Sequence, residues 1–169
     1  MKISSKGLKD GYFLDIFGGN SPSVEQGDMP TYSIPFKIED APEDTVSFAA
    51  ILYDVDAFAV TNGFPWIHWT IANLTKKEVK ENESIDAVDF VQGVNSWHSQ
   101  FVGGKEKKLT SMYGGMTPPD QDHVYTLTVF ALDALLDIEN GFMLNEWHHK
   151  IKEHILASAT LEGKYRKLD

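Results

Sequence analysis

Acid-base and ligand chemistry in this chain is concentrated in three short clusters. Asp54-Val55-Asp56 supplies two carboxylates and Trp66-Ile67-His68 an imidazole beside an indole. The stretch Tyr113-Gly114-Gly115-Met116-Thr117-Pro118-Pro119 leads to a second imidazole and a phenol in His123-Val124-Tyr125. Together these groups suit the capture of a small anion. A carboxylate beside an imidazole raises its pKa, so a pair of histidines can carry positive charge near neutral pH. The amides of Gly114 and Gly115 can form a concave nest of N–H donors, because glycine reaches backbone angles that other residues avoid. Each part also has a plainer reading: a hydrogen-bonded structural histidine, an Asp-x-Asp turn, a rigid Pro-Pro loop. Nothing in the spacing itself obliges the three clusters to converge.

The rest of the composition limits how an anion could be held. Fifteen basic and 25 acidic residues give a net charge of −10, and Arg166 is the only arginine. Such a chain repels nucleic acid and anionic membrane surfaces, whose affinity comes from Lys and Arg neutralising phosphate. It also lacks the bidentate guanidinium forks that usually recognise phosphate. The absence of cysteine excludes disulfides, thiolate metal sites, Fe–S clusters and cysteine nucleophiles.

Metal and cofactor chemistry finds no support in the motifs. Asp54-Val55-Asp56-Ala57-Phe58-Ala59 fails the EF-hand loop at Phe58 and Ala59. His148, His149, Glu153 and His154 fall on an expected helix without the His-Glu-x-x-His pattern of zinc hydrolases, and read as a solvated polar face. There is no Gly-x-Ser-x-Gly elbow, Walker loop or Gly-x-Gly-x-x-Gly. No metal and no cofactor is therefore expected.

The elements that must position these clusters can be read from hydrophobic spacing. Val46–Tyr53 is apolar without alternation, as in a strand covered on both faces. Trp66–Leu74 is rich in β-branched and aromatic residues. Period two puts Trp66, His68, Thr70 and Ala72 on one face, with Ile67, Trp69 and Ile71 on the other. Val124–Leu132 is the clearest strand and should be central. Residues 86–108 form a glycine-bearing connection longer than the roughly 12 to 15 residues that unstructured loops rarely exceed, so it is functional or disordered. Leu144, Trp147, Ile151 and Ile155 recur at helical spacing and predict one amphipathic helix over about 142–159, ending before Gly163. The length of 169 residues favours a single domain, 1–169, built as a mostly antiparallel β protein with a C-terminal helix. With no apolar leader and no run of about 18 apolar residues, the sequence reads as a soluble, cytoplasmic protein and not an integral membrane protein.

At the three clusters the sequence resembles the phosphatidylethanolamine-binding protein family, specifically its bacterial and archaeal, Raf kinase inhibitor-like branch. The likeness is nearly full-length. It begins with Ile3-Ser4-Ser5 and Lys9-Asp10-Gly11, continues through Ser33-Ile34-Pro35, Ser47-Phe48-Ala49, Asp54-Val55-Asp56-Ala57 and Trp66-Ile67-His68-Trp69 with Asn73, and ends with Tyr113-Gly114-Gly115, Thr117-Pro118-Pro119, His123-Val124-Tyr125 and Ala131-Leu132-Asp133. The resemblance implies a large antiparallel sheet packed on a smaller one with peripheral helices, and an anion pocket at strand ends. Carried over by position, Asp54, Asp56, Trp66, His68, Gly115, Pro118, Pro119, His123 and Tyr125 would bind the ligand, a phosphate, phosphorylated headgroup or small carboxylate. It further implies phospholipid binding, a regulatory or inhibitory role toward a kinase or peptidase, and self-association as a homodimer. The chain departs from the family where Val55 and Phe58 replace the prolines of Asp-Pro-Asp-Ala-Pro and where Met116 replaces a loop proline. Phe58 is then expected to close part of the pocket mouth. The reading is a binding protein and not an enzyme. The alternative is a hydrolase or phosphotransferase using the same imidazoles as general acid and base, for which no nucleophile is evident.

Overall fold

The computed structural model describes residues 1–25 and 28–168. Three short strands, β1 (Lys2–Ser4), β2 (Leu8–Lys9) and β3 (Tyr12–Phe13), precede β4 (Phe36–Glu39) and β5 (Ser47–Asp54). A single helical turn, α1 (Phe58–Thr61), joins β5 to β6 (Trp66–Leu74). β7 (Glu78–Val79), β8 (Val91–Gln92) and α2 (Lys107–Thr110) follow, then β9 (His123–Leu132), α3 (Leu144–Ile151) and β10 (Ile155–Tyr165). A seven-stranded sheet runs in the order β2-β3-β10-β9-β5-β6-β8, and a three-stranded sheet in the order β1-β4-β7. All pairings are antiparallel except β3 with β10. The expected large sheet on a smaller sheet is what the chain forms.

The core between the sheets explains why these segments are strands. Phe36, Ile38 and Val79 of the small sheet meet Leu52, Trp69, Ile71, Leu127 and Val129 of the large one, all buried. Full burial of each such side chain contributes roughly 1.5–3 kcal/mol, so alternation with the correct phase is strongly selected. β5 is buried on both faces because Ala49 and Ile51 pack on the outer side against Leu132, Trp147 and Ile151. β9 lies at the middle of the seven, as its sequence predicted, and its inward row is Tyr125, Leu127, Val129 and Ala131.

The C-terminal helix is shorter than predicted. It ends at Ile151, and Ile155–Tyr165 is instead an eleven-residue strand paired along its length with β9. Within it Ala157, Ala159, Leu161, Gly163 and Tyr165 turn inward while Ser158, Thr160, Glu162 and Lys164 face solvent. That period of two is weak in sequence because the inward residues are mostly small, and Ile155 prolonged the helical stripe by coincidence. Gly163 does not end a helix. A Cβ there would lie 2.3 Å from Leu8 Cδ1, so it lets the N-terminal strands close over β10.

The long connection over residues 86–108 is ordered. It contains β8 and a 3₁₀ turn at Ser96–His98, in which the Asn95 side chain accepts a hydrogen bond from the Trp97 amide at 3.0 Å.

Candidate functional site

Strand pairing, rather than proximity in sequence, brings the three clusters together. Asp54, the last residue of β5, lies opposite Trp66 at the start of β6 on one side and opposite Tyr125 of β9 on the other. His123 precedes Tyr125 by two residues and so shares its face. Asp54, Trp66, His68, Pro119, His123 and Tyr125 then line one cavity of about 170 Å³.

His68 reaches this cavity through a register shift. Leu52 pairs with Trp69 and Tyr53 with Ile67, so His68 and Trp69 together span one residue of β5. The extra residue reverses the alternation expected for the rest of β6: Trp69 and Ile71 join His68 on the inner side, while Ala72 packs outward under α3. His68 is clamped reciprocally to the glycine loop. Its Nδ1 donates to the Gly114 carbonyl at 2.7 Å, and the Gly114 amide donates to the His68 carbonyl at 2.8 Å. Around it stand Tyr125, with ring centroids 5.1 Å apart, and Trp97, at 5.5 Å. Burial in this aromatic surround lowers the His68 pKa to about 4, against the smaller opposing effect of the Gly114 carbonyl. His68 is therefore neutral at neutral pH, which corrects the expectation of a doubly charged histidine pair.

His123 behaves oppositely. Its Nδ1 lies 2.8 Å from Asp54 Oδ2 and its Nε2 lies 2.7 Å from Asp120 Oδ1. Two carboxylate oxygens at these distances each require a proton from the ring, so the pair of contacts is that of an imidazolium. Burial is the largest single influence and opposes charge, but the hydrogen bonds to Asp54 and Asp120 together outweigh it and raise the His123 pKa. The second oxygen of Asp54 is used locally, accepting from the amides of Asp56 at 2.8 Å and Ala57 at 3.1 Å. That side-chain turn organises the segment from which both family prolines are missing. Burial also holds the Tyr125 phenol well above its ordinary pKa, so it stays protonated.

Three of the nine expected residues do not line the cavity. The Asp56 carboxylate points to the backbone of β9 and accepts from the Val124 amide at 2.8 Å. The Gly115 amide is spent on the Pro30 carbonyl at 2.7 Å, and with Gly114 also occupied no glycine nest opens to the cavity. Gly115 is required for a different reason, since a Cβ there would meet the Phe17 carbonyl oxygen at 2.6 Å. Pro118 is buried, with its carbonyl accepting from Leu168. Phe58 is not part of the wall either; it faces solvent, and Ala57 and Val60 line the cavity instead. Sequence reasoning missed Trp97, Thr117 and Asp120. The Asn95-Ser96 pair before Trp97 was a usable turn signal inside the long connection, whereas nothing local marks Asp120 as a partner of His123. The indole N–H of Trp66 is buried and has no hydrogen-bond partner. Among the described residues no group of three or more His, Asp or Glu could hold a metal ion, and no helix is long and apolar enough to cross a membrane.

The chain matches known proteins over most of its length. A family profile described as phosphatidylethanolamine-binding protein matches residues 4–166. The protein YxkA of Bacillus subtilis is 44% identical over 136 residues, covering 79% of this chain and 80% of that one. A UPF0098 protein of Chlamydia pneumoniae is 33% identical over 138 residues, covering 80% and 83%. The crystal structure of the phosphatidylethanolamine-binding protein homologue CT736 from Chlamydia trachomatis superposes with a TM-score of 0.78 at 25% identity, covering 99% and 97%. Escherichia coli YbcL shares the fold, with a TM-score of 0.74 at 22% identity and coverage of 99% and 98%.

Proposed function

Because the chain belongs to the phosphatidylethanolamine-binding protein family, we propose that its cavity binds one small anionic group: a phosphate, a phosphorylated headgroup or a small carboxylate. The protein acts by binding and not by catalysis, in a regulatory or inhibitory role toward a kinase or peptidase. The observation that carries the reading is the His123 imidazolium at the cavity wall, held in place by the buried Asp54. It supplies a charged donor in a chain with a single arginine, which lies elsewhere and pairs with Asp15. Trp66 lines the same cavity, and its buried indole N–H has no partner, a state that costs about 1–3 kcal/mol. Neutral His68 offers shape and aromatic contact, so charge recognition rests on His123 alone.

Titration with phosphate, phosphoethanolamine and acetate, followed by histidine NMR shifts, tests this. We expect the His123 ring signals to move with ligand, and His123→Ala to weaken binding tenfold or more. Affinity should fall as pH rises through the raised His123 pKa, because only the imidazolium donates from both nitrogens. Absence of any ligand-dependent shift, together with unchanged affinity in His123→Ala, would sink the proposal. Turnover in an ester and phosphate substrate screen, abolished by His68→Ala, would replace it with the hydrolase reading.

A further inference from the structure

We propose that the Asp120 carboxylate is a built-in occupant of the ligand position on His123, so that an external anion enters the site only by displacing it. This rests on the anion-binding reading above and adds how access to the site is set. The two carboxylates on His123 are not equivalent. Asp54 is buried, and its remaining oxygen is fixed by the amides of Asp56 and Ala57. The Asp120 side chain is 41% exposed, and among the described residues, apart from the amides of its own segment, Asp120 and Gln121, its carboxylate meets only His123 Nε2. Pro119, Asp120 and Gln121 are exposed, and among the described residues their backbones make no hydrogen bond to the rest of the chain. The flanks are anchored: the Pro118 carbonyl accepts from Leu168, and Asp122 accepts from Lys167 and Tyr12. Swinging Asp120 away therefore breaks one contact beyond its own segment and leaves the frame intact.

The chemistry of the exchange is conservative. His123 Nε2–H, on a side chain that is 1% exposed, would be a costly unsatisfied donor without a partner; Asp120 satisfies it with a carboxylate oxygen at 2.7 Å. An incoming carboxylate or phosphate oxygen offers the same acceptor and takes the same place. A tethered competitor lowers apparent affinity by the fraction of molecules in which it is bound. It follows that weak or abundant small anions are screened out, and that a ligand needs contacts beyond His123 to win.

The test is calorimetric titration of inorganic phosphate into the wild-type protein, Asp120→Ala and Asp122→Asn at one pH. Asp122→Asn removes an equal charge two residues away while keeping an acceptor for Lys167, and so controls for general electrostatic relief. We expect Asp120→Ala to bind phosphate about tenfold tighter, the fold-change set by loss of one charge-assisted hydrogen bond, and Asp122→Asn to change affinity by less than about twofold. Without ligand, the His123 ring nitrogen shifts should change in Asp120→Ala and not in Asp122→Asn. Wild-type binding that is unchanged or weakened by Asp120→Ala, or an equal gain in both variants, overturns this inference and leaves the anion-binding reading standing. Failure of all three proteins to bind phosphate, phosphoethanolamine or acetate overturns both.

Discussion

At the residue scale, two histidines on one cavity are driven to opposite charge states by what their ring nitrogens face. His68 meets a backbone carbonyl and aromatic rings, while His123 meets two carboxylates. Both shifts are linked to stability with opposite sign. The folded-state pKa of His68, about 4, lies below its unfolded value of 6.5, so the stability it confers is present above pH 6.5 and is lost as pH falls from 6.5 toward 4. Charging it in place costs on the order of 3 kcal/mol. The His123 pKa lies above 6.5 in the folded state, so its contribution is present below pH 6.5 and fades as pH rises through the folded value. Histidine NMR titration should give one ring titrating near 4 and one above 6.5, and urea unfolding midpoints should drop between pH 6.5 and 4. A His68 that titrates near 6.5 would contradict its burial in the aromatic surround.

At the element scale, the cavity exists because the end of β5 is tied to both neighbours. Asp56 makes one of these ties, from the turn after β5 to the Val124 amide of β9. We expect Asp56→Ala to lower unfolding free energy by about 1–2 kcal/mol, measured by urea denaturation, with phosphate affinity reduced far less than by His123→Ala. An affinity loss equal to that of His123→Ala would return Asp56 to the binding set. The glycine-proline loop is held against the N-terminal turn in the same economical way. The Gly19 amide donates to the Met116 carbonyl at 2.8 Å, and a Cβ on Gly18 would lie 2.2 Å from that same oxygen. Gly18 is thus a close-approach residue rather than a loosening one.

At the scale of the whole molecule, the seven-stranded sheet joins both ends of the described chain. Tyr12 of β3 pairs with Lys164 of β10, and the Tyr165 hydroxyl donates to the Asp15 carbonyl at 2.7 Å. Pairings that span most of the sequence require closure of very long loops before they yield contacts, which slows folding. Refolding followed by tryptophan fluorescence should occur in milliseconds to seconds, and Tyr165→Phe should mainly speed unfolding if this closure forms late. Microsecond refolding would show that local contacts dominate. The charge of −10 acts at this scale too: it keeps the surface as a whole repulsive to polyanions, while the single imidazolium acts only inside its cavity.

Much of this was legible from sequence alone. The three site strands and the central place of β9 follow from hydrophobic period and aromatic content, because a buried pleated surface selects for them locally, whereas the sheet-on-sheet class and the set of site residues were what the family resemblance implied. The sequence also settled that no thiolate could take part, whereas it is the structure that places the one arginine on Asp15, outside the cavity lining. Other features were decided only by tertiary structure. The register shift that turns His68 and Trp69 to one side depends on pairing with β5, and β10 hid behind small inward residues whose burial comes from β9 and the N-terminal strands. Whether the glycine amides were free, and which histidine was charged, turned on partners distant in sequence: Pro30 for Gly115, Gly114 for His68, and Asp54 for His123. Charge and hydrogen-bond state depend on what lies within 3 Å. Residue order fixes which groups the chain possesses, and only the folded backbone decides which of them meet.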